Sequence, residues 1–176
     1  RMILQEAADR YEFQMPYKNI KTLKQSRPDV NPFTLTELWL FLKHVRADYK
    51  AYYTTRFFTG MRTSEIDGLK WDCVDFERRE IRIRGALVNG EMGPTKTLGS
   101  QREIAMSQLV YNALQDRKAV TYGKSEFVFC NSQGNPLEYR NVNRRIWKPT
   151  LALLGLKHRR AYQTRHTAAT LWLAAG

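Results

Sequence analysis

The sequence predicts a mainly α-helical domain carrying a small antiparallel β-sheet, an α+β arrangement. Three observations carry this. Leu35, Leu38, Trp39, Phe41, Leu42 and Val45 recur at helical spacing. The pattern switches to period two at "EIRIRGAL" (80–87), followed by Asn89-Gly90, a strong hairpin signal. Helical spacing then returns from Ser107, where Leu109, Val110, Ala113 and Leu114 are expected to face inward.

Residues 1–14 resemble the end of a helix that begins upstream. Residues 16–33 hold three prolines and four lysines or arginines with little apolar periodicity, which predicts a linker. The domain proper is expected over 34–176. Thr34 and Glu37 form a capping-box pattern that starts its first helix. A second helix places Tyr49, Tyr52, Tyr53 and Phe57 on one side as core, and Gly60 ends it. A short helix with Arg62, Glu65, Ile66 and Leu69 follows. Strands are expected at 80–87, 91–97 and 101–106, in one sheet. "EFVFC" is a short buried strand or extended segment. A helix from about Tyr139 is interrupted near Pro149, which cannot donate a backbone hydrogen bond, and ends at Gly155. The last helix starts near Thr164.

Composition narrows the function. The 176 residues, 43% hydrophobic and 26% charged, suffice for one domain with a real core. The apolar run Leu171 to Ala175 is too short to span a bilayer, and no signal-peptide pattern opens the chain. Cys73 and Cys130 lie far apart without metal-ligand spacing. They are expected to be reduced buried thiols in a cytoplasmic setting. The net charge of +12 points to a polyanionic partner. From Tyr139 to Gly176 no acidic residue occurs, while Arg140, Arg144, Arg145, Lys148, Lys157, Arg159, Arg160 and Arg165 do. Arg140, Arg144, Arg145, Lys148, Arg159 and Arg160 are the residues expected to contact that polyanion. A merely solvated face would mix its signs.

Three basic signals stand out. Arg62 follows the Gly60 bend at a helix start, where guanidinium and backbone N–H groups can converge on a phosphate; an ordinary surface arginine is the alternative. Lys96 lies in "GPTKTLGSQRE" (93–103), and a hairpin lysine can reach into a groove or simply guard a sheet edge. Arg165 and His166 open the last helix, followed by small residues that permit close packing. Asp72 and Asp75 are close in sequence, and helix capping explains them better than a two-metal site.

"TGMRTSEIDGLKW", "TKTLGSQREIAM" and "RHTAAT", in this order, resemble the catalytic domain of the tyrosine recombinases, the phage-integrase family. The resemblance runs from about residue 34 to the end, and residues 1–33 resemble the last core-binding helix and the linker. It implies the tyrosine-recombinase catalytic-domain fold and site-specific recombination of phage or other mobile DNA. A tyrosine hydroxyl attacks a phosphodiester and forms a 3′-phosphotyrosyl link, with no metal or nucleotide cofactor. By resemblance Arg62 and Arg165 clamp the scissile phosphate, Lys96 protonates the leaving 5′-oxygen, and Glu65 and His166 support the site. Tyr162 stands where the family usually has histidine, and a phenol near pKa 10 is a poorer base than an imidazole near 6.5. The chain stops at Gly176, eleven residues beyond Arg165 and without a further tyrosine. The expectation is therefore a fragment lacking its C-terminal helices and nucleophile. The resemblance also implies double-stranded DNA as partner, a tetramer on DNA, and no membrane association. A non-catalytic DNA-binding relative and a type IB topoisomerase-like enzyme are the alternatives. An RNA-binding domain is disfavoured, since no aromatic stacking motif of that kind occurs.

Overall fold

The computed structural model describes residues 2–15, 30–94 and 101–174. Helices α1 (Met2–Tyr11), α2 (Leu35–His44), α3 (Ala47–Thr59) and α4 (Thr63–Asp67) come first. Strands β1 (Val74–Asp75), β2 (Glu80–Ile83), β3 (Gly85–Val88), β4 (Glu91–Pro94) and β5 (Arg102–Ala105) follow. Helices α5 (Gln108–Thr121), α6 (Tyr139–Val142), α7 (Lys148–Leu153) and α8 (Gln163–Ala174) complete the chain. No helix among the described residues is long and apolar enough to cross a membrane.

Local chemistry starts and stops these elements. The Thr34 hydroxyl accepts from the Glu37 N–H at 3.2 Å, and the Glu37 carboxylate accepts from the Thr34 N–H at 2.9 Å. This reciprocal cap satisfies two helix-end donors. The Ser107 hydroxyl caps α5 by accepting from the Val110 N–H. Gly60 closes α3 at φ +60°, a conformation most side chains resist. Between α6 and α7, residues Asn143–Trp147 form a π-helical turn. The Lys148 N–H reaches back to the Asn143 carbonyl. The expected interruption near Pro149 thus takes the form of a wider turn just before it.

The sheet differs from expectation. The segment 80–87 is two strands, not one, and they belong to two sheets. One sheet has the order β1-β2-β5, all antiparallel, with Ile81 opposite Ile104 and Ile83 opposite Arg102. The other is the β3–β4 hairpin, with Val88 opposite Glu91. Asn89 and Gly90 both have positive φ, as the predicted two-residue turn requires. The break has a packing cause. The β3 backbone lies against Gly68, where an added Cβ would sit 2.9 Å from the Leu87 nitrogen. Hence β3 leaves the sheet plane to pack on α4. The predicted strand 91–97 ends at Pro94 in the described residues, and 95–97 lie outside them. Leu109, expected inside, is exposed, whereas Val110 and Leu114 are fully buried.

The core is aromatic. Phe33, Phe41, Tyr53, Phe57 and Trp147 interlock, with Phe41 and Trp147 ring centroids 4.9 Å apart. Trp147 is completely buried, and its indole N–H donates to the Arg159 carbonyl at 2.7 Å. Phe33, within the segment expected as linker, is buried, and its N–H donates to the Thr167 hydroxyl on α8. The end of that segment is therefore part of the packed body.

Candidate active site

The site begins where α3 ends. Gly60 turns the chain, buried Met61 anchors the bend, and Arg62 is presented in extended conformation at the start of α4. The Arg62 N–H donates to Glu65 Oε2 at 2.8 Å, and its Nη1 donates to Oε1 at 2.8 Å. Arg102 at the start of β5 donates to the same carboxylate, Nη1 to Oε1 at 3.0 Å and Nη2 to Oε2 at 2.8 Å. The Glu65 side chain is 2% exposed, against 39% for Arg62. Burial raises the Glu65 pKa, but the hydrogen bonds from Arg102 and Arg62 outweigh it and hold the carboxyl at about 2. Glu65 is therefore a fixed anion that orients two guanidiniums.

Arg165 comes to the same place from α8. Its Nη1 donates to the Gly60 carbonyl. The small-residue run predicted for this helix explains the approach. A Cβ added to Gly60 would lie 3.2 Å from both the Ala168 Cβ and the Trp172 ring. Gly60, Arg102, Ser107, Arg165, Ala169 and Trp172 line one open cleft of about 520 Å³. Tyr162, just before α8, is 44% exposed, and its ring meets that of His166 edge-on at 5.2 Å. The structure thus brings Arg62, Glu65 and Arg165 around one turn, with Tyr162 and His166 at the start of α8. Lys96 lies outside the described residues.

A further arginine, Arg56 of α3, lies in the packed interior. Arg56 is 1% exposed. It donates to the Tyr52 hydroxyl at 2.8 Å, the Thr63 hydroxyl at 2.9 Å, the Ala161 carbonyl at 3.1 Å and the Thr164 hydroxyl at 3.3 Å. Tyr52 passes its own proton toward Asp67 Oδ1 at 2.6 Å. Burial pushes the Asp67 carboxyl up to about 6, against the lowering effect of Tyr52 and Arg56.

The basic tail divides. Arg140, Arg144, Arg145 and Lys148 are exposed along the α6–α7 run, whose opposite side buries Val142, Ile146, Trp147 and Leu151. Arg160 is exposed as well. Arg159 corrects the expectation that it contacts DNA. Its side chain is 7% exposed, donates to both Glu37 oxygens at 2.6 and 2.8 Å, and covers the Phe33 ring. A guanidinium so occupied is part of the core. Asp75, expected to cap a helix, instead ends β1 and accepts from the Arg78 N–H at 3.0 Å in the turn to β2. Cys130 is buried, Cys73 half-buried, and both are free thiols.

Arg102 and Arg56 were not singled out by sequence. Arg102 lies in a segment with strand alternation, where a charged residue fits an exposed face. Arg56 and Asp67 are charges within otherwise apolar faces of α3 and α4. That misfit was the available signal for both.

Residues 13–176 match the model of the phage integrase family. The chain is 26% identical over 185 residues to the prophage integrase IntR of Escherichia coli K12, covering 92% of this chain and 45% of that protein. It is 33% identical over 118 residues to the tyrosine recombinase XerC of Corynebacterium efficiens, covering 67% of this chain and 35% of that protein. Its fold is similar to the Tn1549 transposon integrase in complex with a circular intermediate DNA. That likeness has a TM-score of 0.77 at 21% identity, over 99% of this chain and 63% of that one. It is similar also to a lambda integrase tetramer bound to a Holliday junction, with a TM-score of 0.70 at 14% identity, over 96% and 50%. The chain spans about half the length of the curated relatives it matches first. The motifs, the fold and the match over residues 13–176 agree: the chain belongs to the phage integrase family.

Proposed function

We propose that this chain is the arginine-bearing part of the catalytic domain of a site-specific DNA recombinase that integrates or excises phage or other mobile DNA. The observation that carries the reading is the convergence of Arg62 and Arg165 on the Gly60 turn. Two guanidiniums held this way suit a phosphodiester, whose charge rises as a fifth oxygen approaches phosphorus. In this reading a tyrosine hydroxyl attacks the phosphorus, and the DNA 3′ end becomes a phosphotyrosyl ester. The 5′-oxygen leaves with a proton from Lys96. The phosphodiester energy stays in that ester, so rejoining by a 5′-hydroxyl needs no nucleotide. Tyr162 orients the attacking or leaving oxygen where relatives use histidine, and Glu65 holds Arg62 in place.

Arg140, Arg144, Arg145, Lys148 and Arg160 then track the DNA backbone. The protein works on duplex DNA in the cytoplasm, as a tetramer joining two duplexes. Residues 1–33 supply the end of the core-binding domain and the linker, whose last residues dock on α8, and 34–176 supply the catalytic domain.

The test is covalent trapping. The protein at the full length of its reading frame is mixed with site DNA nicked near the cleavage position, and resolved on a denaturing gel. A protein–DNA adduct that disappears with Arg62→Ala supports recombinase chemistry. Salt-sensitive binding without any adduct contradicts it and leaves a DNA-binding protein only.

A further inference from the structure

Arg56 is buried and outside every motif that relates the chain to its family, yet it makes more directed contacts than a packing role needs. Its guanidinium bonds Thr63, the residue after Arg62, and its Nε bonds Thr164, the residue before Arg165. A third contact, to the Ala161 carbonyl, fixes the backbone that leads into α8. The fourth, to the Tyr52 hydroxyl, connects it to Asp67 at the end of α4. One planar group therefore grips the immediate neighbours of both site arginines from below.

We infer that Arg56 is the positioning residue that sets the separation of Arg62 and Arg165, through Thr63 and Thr164. The inference rests on the phosphate-clamp reading above. Its physical basis is the fork shape of guanidinium. Five N–H donors in one plane fix the relative placement of several acceptors, which a lysine ammonium or an apolar side chain cannot do. Burying such a charge is costly. Well-packed apolar residues commonly give equal stability at buried ion sites, so stability alone does not require an arginine here. What the arginine adds is direction. Thr164 contributes to both sides of the joint: its hydroxyl accepts from Arg56 and donates to the Ala161 carbonyl at 2.9 Å. Two phosphate ligands on different helices need such a joint, because a misplacement on the order of 1 Å can cost about a hundredfold in rate.

The test uses the protein at the full length of its reading frame and a nicked suicide substrate under single-turnover conditions. Thr63→Val and Thr164→Val each remove one acceptor while conserving shape, and Arg56→Lys keeps the charge but loses the fork. Four quantities are read: cleavage rate, cleaved fraction, DNA affinity and thermal midpoint. Each variant is expected to cleave roughly tenfold or more slowly, with site affinity within about twofold of wild type. Thr63→Val/Thr164→Val is expected to be no slower than Arg56→Lys, since all three break one joint. A purely structural Arg56 would lower the midpoint and the cleaved fraction but leave the rate of the folded molecules unchanged, and that result overturns the inference. Arg62→Ala runs alongside. If it abolishes cleavage while the threonine variants keep the wild-type rate, the inference alone fails. If Arg62→Ala cleaves normally, or wild type never cleaves, the clamp reading fails and takes the inference with it.

Discussion

Arg165 donates from its guanidinium to the carbonyl oxygen of Gly60, the residue that closes α3 two positions before Arg62. This contact joins two sequence motifs that lie far apart in the chain. It requires α8 to lie almost on the α3 backbone, which glycine on one side and Ala168 on the other permit.

Gly60→Ala tests that approach. The new Cβ meets Ala168 and Trp172 at 3.2 Å, and φ +60° is itself unfavourable for alanine. The left-handed conformation alone costs about 1–2 kcal/mol. We expect a matching loss of stability in urea unfolding, and weaker DNA cleavage because Arg165 is pushed from the turn.

Glu65 gives a pH signature. Its carboxyl titrates near 2 in the folded chain against an ordinary 4.5. Because the folded value is depressed, its stabilisation is full above pH 4.5 and is lost as pH falls toward 2. The shift corresponds to about 3 kcal/mol at 1.36 kcal/mol for each pH unit. Denaturant unfolding from pH 2 to 5 should show this rise, and Glu65→Gln should flatten it. An equal rise in the variant would mean that Glu65 is not the anchored anion.

Asp67 acts with the opposite sign. Its folded carboxyl titrates at about 6 against an ordinary 3.8, so the folded state holds the proton more tightly. Stability should fall by about 3 kcal/mol as pH rises through that window. Asp67→Asn should remove this decline while leaving the low-pH rise due to Glu65 in place.

Arg159 and its basic neighbours should separate cleanly. Arg159→Ala removes the paired hydrogen bonds to Glu37 and uncovers the Phe33 ring, while Glu37 keeps its cap on the Thr34 N–H, an effect of about 1.5–3 kcal/mol. It should lower the thermal midpoint and leave the salt dependence of DNA binding unchanged. Arg144→Gln and Lys148→Gln should do the reverse, each reducing the slope of log affinity against log salt by about 0.9.

Sequence showed most clearly what is local. The Thr34–Glu37 cap, the Asn89-Gly90 turn and the Gly60 stop each depend on residues within a few positions. So does the approach of small residues on α8, once its helix is recognised. Contacts set by tertiary packing were not visible. Nothing near Arg159 announces Glu37, 122 positions away, so its charge resembled a solvated one. The division of 80–87 at Arg84 was hidden too, because both halves alternate and the break is imposed by α4 at Gly68. For the site, the motif arginines were legible from their neighbours. Arg102 was not, because Glu65 lies 37 positions away, and Arg56 was not, because Thr164 and Ala161 lie 108 and 105 positions away.

The most direct measurement of the central claim replaces the scissile phosphate by an uncharged methylphosphonate. Wild type and Arg165→Ala, at the full length of the reading frame, are compared on both substrates in single-turnover cleavage. If Arg165 stabilises phosphate charge, the variant cleaves ordinary DNA about a hundredfold more slowly but matches wild type on the methylphosphonate. An equal defect on both substrates would contradict the clamp and leave Arg165 as a fastener of α8 to Gly60.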